Sequence, residues 1–146
     1  MAYFEFEERP SLATAPVYKI VVMADDNFML FPEDYIKYKK AVHGILPKGS
    51  FKKISNIVEQ SGLKGKTTIH RGRRYYDDGK VNCPSFYTDS PGVEFSQIDG
   101  DTETYITIDW GCTDYPEHGK LMIFFKDIKS ALDVRNLIYP DYTTRQ

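Results

Sequence analysis

The side chains best suited to binding chemistry lie within seven consecutive residues of the chain. Arginine presents planar, permanently charged donors that bind phosphate in pairs, and a tyrosine ring can stack on a base. The sequence between positions 70 and 76 therefore predicts a site for RNA, DNA or a nucleotide. Its predicted contact residues are His70, Arg71, Arg73, Arg74 and Tyr76. The competing interpretation is an edge strand whose arginines pair with acidic side chains of the same fold.

Lysines before this segment extend its positive charge. Residues 37–80 contain twelve basic and three acidic residues and carry a charge of +9, whereas the rest of the chain carries −11. Residues 81–119 contain eight acids and no lysine or arginine. This asymmetry indicates a basic surface that meets nucleic acid or an acidic protein, unless the two segments face each other within the fold or alternate between copies in a homo-oligomer. The further contact residues are Lys37, Lys40, Lys52 and Lys53.

Three carboxylates at alternating positions, Asp99, Asp101 and Glu103, are oxygen ligands that a hard cation could use. The segment lacks the long loop of an EF-hand, so a solvated turn is the favoured interpretation. Cys83 and Cys112 form no short paired spacing, and two cysteines make at most one disulfide. We therefore expect free thiols, no metal and no cofactor.

Periodicity in the first half predicts two strands followed by two helices. Residues 3–7 alternate rings and acids and are expected to form an edge strand or a tail, within an extended arm over residues 1–16. Residues 17–24 are almost entirely apolar, as in a central strand. A helix is predicted to begin near Pro32, because proline suits a first helical turn, and a second helix begins with Ser50 as its N-cap. The first of these helices would bury Tyr35, Tyr38, Val42 and Ile45.

The second half is predicted to contain about four strands and a last helix. Residues 66–76 form a strand in which Gly72 places a bulge, and the Asp-Gly pair at 78–79 indicates a tight hairpin. Residues 102–110 alternate as a half-buried strand, and the apolar run 121–125 is typical of a central strand. A last helix extends from Asp127 to Pro140. The order predicts one α+β domain over residues 17–146, with three helices and a mixed or mostly antiparallel sheet of about five strands.

The composition restricts the classes to which the protein can belong. A chain of 146 residues with 14% aromatic residues fits one folded domain and excludes a disordered chain. No apolar run approaches the roughly 20 residues of a membrane helix, and the acidic start is unlike a signal peptide. We therefore expect a protein of the cytoplasm, or of the host cytoplasm if it is viral, with no membrane partner.

One longer series of motifs resembles the ADP-ribosyltransferases. A predicted helix at 50–61 precedes Arg71 and Gly72, and the sequences Thr-Asp-Ser at 88–90 and Tyr-Pro-Glu at 115–117 follow. In that family an Arg-Gly pair anchors NAD, a Ser-Thr-Ser strand supports the site, and a later glutamate drives transfer at the ribose. The resemblance implies that Arg71 would bind NAD, that Thr88 or Ser90 would support the site and that Glu117 would be the catalytic acid.

The sequence favours a small accessory protein without its own catalysis, of the kind that phages encode, which binds nucleic acid, a nucleotide or an acidic protein. An NAD-dependent ADP-ribosyltransferase-like enzyme is the catalytic alternative. A structural protein that self-associates through its complementary charge segments is the third.

Overall fold

The computed structural model describes residues 2–9, 16–34, 36, 38–62, 65–70, 73–76, 79–82, 92–100, 102–109 and 118–138. Within them the chain forms one sheet and three helices, which confirms the predicted α+β class and the number of helices. The described sheet has nine strands, more than the five expected. Three of the nine have only four residues each, which is too short for a periodic pattern to indicate them.

The sheet is mixed but mostly antiparallel, as predicted. Its strands are β1 (Tyr3–Arg9), β2 (Val17–Met23), β3 (Asn27–Asp34), β4 (Val42–Ile45), β5 (Gly65–His70), β6 (Arg73–Tyr76), β7 (Gly79–Asn82), β8 (Gly92–Asp99) and β9 (Thr102–Asp109). They lie in the order β4-β3-β2-β1-β8-β9-β5-β6-β7. The pair β5 and β9 is parallel, and the other neighbouring pairs are antiparallel. The helices are α1 (Ser50–Ser61), α2 (His118–Leu132) and α3 (Val134–Ile138).

Strand β1 lies in the interior of the sheet. The prediction that residues 3–7 form an edge strand or a tail is therefore wrong. It pairs with β2 on one side and with β8 on the other. Phe4 and Phe6 are fully buried, whereas Glu5 and Glu7, which alternate with them, are half-buried. The alternation of rings and acids thus places the rings in the core and the acids on the opposite face of the sheet.

The core lies between one face of the sheet and the three helices. Phe4 stacks on Phe51 of α1 at a centroid distance of 5.7 Å and on Phe95 of β8 at 5.9 Å. Phe124 of α2 meets Phe95 edge-on at 5.5 Å. Each such ring stabilises the fold by about 1.5–3 kcal/mol through burial, and each pair by about 0.5–1.5 kcal/mol more. The hydrophobic core contains no described residue from the opposite face of the sheet. We call the part of that face formed by β1 to β4, β8 and β9 the open sheet face.

The prediction of a helix that begins near Pro32 is wrong, because this part of the chain contributes strands β3 and β4. Phe28 and Leu30 alternate with the exposed Met29 and Phe31 and enter the core from β3. The stripe of Tyr38, Val42 and Ile45 fits a helical spacing by chance, since a few apolar residues match either period. The pairing of β3 with β2, and of β4 with β3, selects the extended conformation.

The strand predicted at 121–125 is also wrong, because these residues belong to α2. Leu121, Phe124 and Phe125 are buried, whereas Met122 and Ile123 are 51% and 62% exposed. This spacing of three and four residues is helical. An apolar run of five residues fits a buried strand and a buried helix equally well, and its continuation through Ile128 decides for the helix.

Two further strand predictions are confirmed and one is corrected. Residues 17–23 form β2 and residues 102–109 form β9, as expected. The single strand predicted over 66–76 is instead two antiparallel strands, β5 and β6, in which His70 is paired with Arg73. The predicted bulge at Gly72 lies outside the described residues. The pairing of Tyr76 with Gly79 confirms the hairpin that the Asp-Gly signal predicted.

Helix α1 has the predicted extent but a different cap. Ser50 is its first residue and its hydroxyl donates to the carbonyl of Pro47, so it does not act as the N-cap. The carboxylate of Asp26, from the turn between β2 and β3, accepts hydrogen bonds from the backbone N–H groups of Gly49 (2.8 Å) and Phe51 (2.7 Å). A side chain 25 residues away thus satisfies the donors that the helix start leaves free.

Candidate interaction surfaces

The sheet order separates basic residues that are close in sequence. Lys40 precedes β4 at one end of the sheet, and Lys52 and Lys53 lie on α1. At the other end, β5 and β6 contain His70, Arg73, Arg74 and Tyr76. At about 4.8 Å per strand, β6 lies roughly 34 Å from β4 along the sheet. Lys40 and the β6 arginines therefore do not share one small ligand, and Lys37 and Arg71 lie outside the described residues.

The outward side chains of α1 and α2 form a mainly basic surface, which we call the helical face. The two helices contain five lysines and two acids, Glu59 and Asp127. The lysines are Lys52, Lys53, Lys120, Lys126 and Lys129. They lie on the outer side because both helices bury their apolar residues against the sheet. Only two of the five belong to the basic segment 37–80.

Two exposed apolar side chains, Met122 and Ile123, stand among these lysines. Shallow grooves lie on either side of them. One, of about 370 Å³, lies between α1 and α2, where Ile57, Phe124 and Lys120 line it. The other groove, of about 310 Å³, lies between α2 and the sheet and is lined by Phe125, Val93 and Lys126, among others. The helical face thus combines a small apolar centre with a basic rim.

Glu8 fixes one end of α2 to the sheet. Its carboxylate oxygen accepts a hydrogen bond from the Tyr18 hydroxyl at 2.5 Å and lies 3.1 Å from the Lys129 ammonium. Glu8 is mostly buried, whereas the Lys129 side chain is 36% exposed. A charged hydrogen bond in this setting is stronger than a neutral one. Lys129 therefore has a structural role as well as a place on the rim.

The open sheet face carries the opposite charge. Its described residues include five glutamates, one arginine and one lysine, namely Glu5, Glu7, Glu33, Glu94, Glu103, Arg9 and Lys19. Apolar side chains lie beside them: Met29 is 41% exposed, Phe31 39% and Ile45 72%. Lys19 lies over the Phe31 ring, with its ammonium 5.7 Å from the ring centroid, which is a cation–π geometry. The open sheet face is therefore acidic with an apolar flank, and it is bordered beyond β9 by strands β5, β6 and β7, which contain Lys66, Arg73, Arg74 and Lys80.

Glu7 and Glu94 are directly opposite each other on β1 and β8, an arrangement in which like charges repel. Burial raises the pKa of the Glu7 carboxyl, the charge of Glu94 raises it further, and Lys19 and Arg9 oppose the shift. The Arg9 guanidinium lies 3.7 Å from the Glu94 carboxylate, which also accepts a hydrogen bond from the Tyr105 hydroxyl at 3.2 Å. These contacts reduce the repulsion between the Glu7 and Glu94 carboxylates, and the face as a whole stays acidic.

The two ion pairs named above do not join residues 37–80 to residues 81–119, since Arg9 and Glu94 belong to β1 and β8, and Lys129 and Glu8 to α2 and β1. Lys52 and Lys53 of the first segment lie on the helical face, and Glu94 and Glu103 of the second lie on the open sheet face. The two segments also meet within the sheet, where β5 pairs with β9. The N-terminal strand and α2 supply the other charges.

Several predicted site residues lie outside the described residues. The residues implied by the transferase resemblance, Arg71, Ser90 and Glu117, are among them, and so are Cys83 and Cys112. Asp99 is paired with Thr102 across the exposed Gly100, as the solvated turn requires. Within the described ranges no group of three or more His, Cys, Asp or Glu side chains is arranged to hold a metal.

Comparison with protein families and with curated proteins assigns this chain to no family. No protein-family model matches it, and a search of curated proteins finds no significant match. None of the helices in the described ranges is both long and apolar enough to span a bilayer.

The helical face does not follow from the sequence when residues 121–125 are taken as a strand. Its signal is the set of lysines at 120, 126 and 129, which share the exposed side of one helix once that helix is recognised. No local pattern indicates Asp26, because its partners Gly49 and Phe51 come close to it only in the fold.

Proposed function

We propose that the protein is a non-enzymatic binding module whose helical face binds an acidic surface of a protein partner. The observation that carries this proposal is the set of outward lysines on α1 and α2 around the exposed Met122 and Ile123. In such a role it would act as an accessory protein in the cytoplasm, or in the host cytoplasm if it is viral.

The apolar centre favours a protein partner over nucleic acid. Protein interfaces have an apolar, desolvated centre and a polar rim, and methionine is enriched in them. Phosphate recognition instead relies on many charged contacts and on aromatic side chains that stack on bases. On the helical face, Met122 and Ile123 occupy the centre and the phenylalanines at 124 and 125 are turned into the core.

The two parts of the helical face have different roles in this proposal. Each exposed lysine contributes about 0.2–1 kcal/mol or less to a contact and mainly accelerates the encounter with an acidic surface. Covering Ile123 contributes more, up to about 1.5–3 kcal/mol if its side chain is fully buried. Affinity therefore depends on the apolar centre, and the choice of an acidic partner depends on the lysine rim.

The test is a binding titration with defined probes. A synthetic amphipathic helix with leucines on one face and glutamates on the other is compared with single-stranded RNA and DNA by fluorescence anisotropy. We expect the acidic peptide to bind with a Kd of about 1–100 µM. Lys120→Glu with Lys126→Glu, and separately Ile123→Ser, should each weaken binding about tenfold. The matched control, Lys39→Glu with Lys40→Glu, changes exposed charges outside the helical face.

The same titration separates the alternatives. One outcome would show that the partner is nucleic acid and not a protein. In it, the peptide does not bind, whereas RNA or DNA binds, binding weakens with salt, and the lysine variant loses it. Equal peptide binding by the wild type and both helical-face variants rejects the helical face as the site.

A further inference from the structure

We infer that the acidic surface bound by the helical face is the open sheet face of a second copy of this chain. This inference rests on the proposed function and names its partner. The two faces lie on opposite sides of the molecule, because the helices cover one side of the sheet and the described core excludes the other. One copy can therefore present its helical face while its own open sheet face stays accessible to the next copy.

Charge complementarity is the first argument. Five lysines and two acids on α1 and α2 would meet five glutamates, one arginine and one lysine on the open sheet face. The glutamates are half-exposed or exposed, so their carboxylates are within reach of a second molecule. Complementary potentials of this kind accelerate association and select the relative orientation.

The dimensions of the two faces also match. Helices α1 and α2 have 12 and 15 residues, which correspond to lengths of about 18 and 22 Å, and packed helices are about 10 Å apart. The strands β3, β2, β1, β8 and β9 span about 19 Å across the sheet and about 20–26 Å along it. Each face is thus about 20 Å square, which is small for a stable complex and suits a weak, reversible one.

Both faces carry exposed apolar side chains, whose exposure contributes nothing to the stability of the monomer. They are Met122 and Ile123 on the helical face, and Met29 and Phe31 on the open sheet face. Contact between the faces would cover both sets. Because both sets are flanked by charge, the contact is expected to weaken with salt but to retain an apolar contribution.

The symmetry of this contact has a measurable consequence. A contact between two different faces is heterologous, and two faces on opposite sides of one sheet stack successive copies instead of closing into a dimer. We therefore expect the average mass to rise continuously with concentration, without a plateau at the dimer.

The experiment is sedimentation velocity on the wild type and on two charge-reversed variants. One is Lys120→Glu with Lys126→Glu on the helical face, and the other is Glu5→Lys with Glu103→Lys on the open sheet face. Circular dichroism establishes that each variant is folded. Each variant carries charge of one sign on both of its faces and should remain at the monomer mass of 16.9 kDa. An equimolar mixture should associate again, because the unaltered open sheet face of the lysine variant is acidic and the unaltered helical face of the glutamate variant is basic. The two altered faces also carry opposite charges.

For the wild type we expect the average mass at least to double between about 10 µM and 1 mM at low salt, and to return toward the monomer at about 1 M salt, where the Debye length is about 3 Å. A wild type that stays monomeric over this range overturns the inference, as does a mixture that fails to associate. A monomeric wild type that still binds the acidic peptide, with loss in the lysine variant, overturns the second copy alone and leaves the proposed function standing.

Discussion

At the scale of single residues, Asp26 has the most specific structural role. Its two carboxylate oxygens accept backbone hydrogen bonds from Gly49 and Phe51, and its carbonyl accepts one from Leu46 at 2.9 Å. Its own backbone has a φ of 71°, in the left-handed region that Asp tolerates better than most residues. One residue thus joins the β2–β3 turn to the start of α1.

Replacing Asp26 should therefore destabilise the whole fold. Asp26→Gly removes the carboxylate and suits the positive φ, and we expect a loss of about 1–3 kcal/mol in the free energy of unfolding. Asp26→Asn keeps one acceptor and should lose less. Urea denaturation measures both, with Asp25→Gly as the matched control, since Asp25 is exposed and accepts one local bond from Asn27. Equal stability of the Asp26 and Asp25 glycine variants would contradict the capping role.

At the scale of elements, the sequence predicts those whose pattern is long and unambiguous. Strands β2 and β9 and helix α1 follow from continuous apolar or alternating patterns. The errors are at segments where few residues support either period, as in β3 and the start of α2. Pairing with β2 decides β3, and no local pattern contains it. The start of α2 is decided by the helical spacing that continues through Ile128.

The candidate site was predictable only in its chemistry. The sequence indicated a lysine-rich surface and included Lys52 and Lys53, which lie on the helical face. The other three lysines could not be assigned, because they share a face only if 121–125 is helical. The separation of Lys40 from β6 could not be predicted either, since the order of strands in a sheet is set by the tertiary fold.

The assignment of 121–125 to α2 can be tested by two neighbouring substitutions. Phe124 is 3% exposed and Ile123 is 62% exposed, whereas a strand would place residues 121, 123 and 125 together on the buried side. Phe124→Ala should cost about 3–5 kcal/mol in the free energy of unfolding and Ile123→Ala less than about 1 kcal/mol. Chemical denaturation of the two variants decides between the structures: a larger loss for Ile123→Ala would favour the strand.

At the scale of the whole molecule, the net charge of −2 conceals two faces of opposite sign. The charged segments of the sequence do not correspond to these faces one to one, because β1 contributes acids and α2 contributes lysines from outside those segments. A net charge near zero also provides little repulsion between copies, which favours association. The helical face and the open sheet face are the two sides on which we propose that the molecule contacts others.

The central claim is that the helical face binds acidic surfaces, and an NMR titration tests it most directly. Amide ¹H–¹⁵N shifts of the wild type are followed as the acidic amphipathic peptide is added. If the helical face binds the peptide, the largest shifts occur at α1 and α2, near Ile57, Lys120, Ile123 and Lys126, and the amide shifts of β1 and β3 change little. Shifts concentrated on β1 and β3 at saturating peptide, with α1 and α2 unaffected, would contradict it.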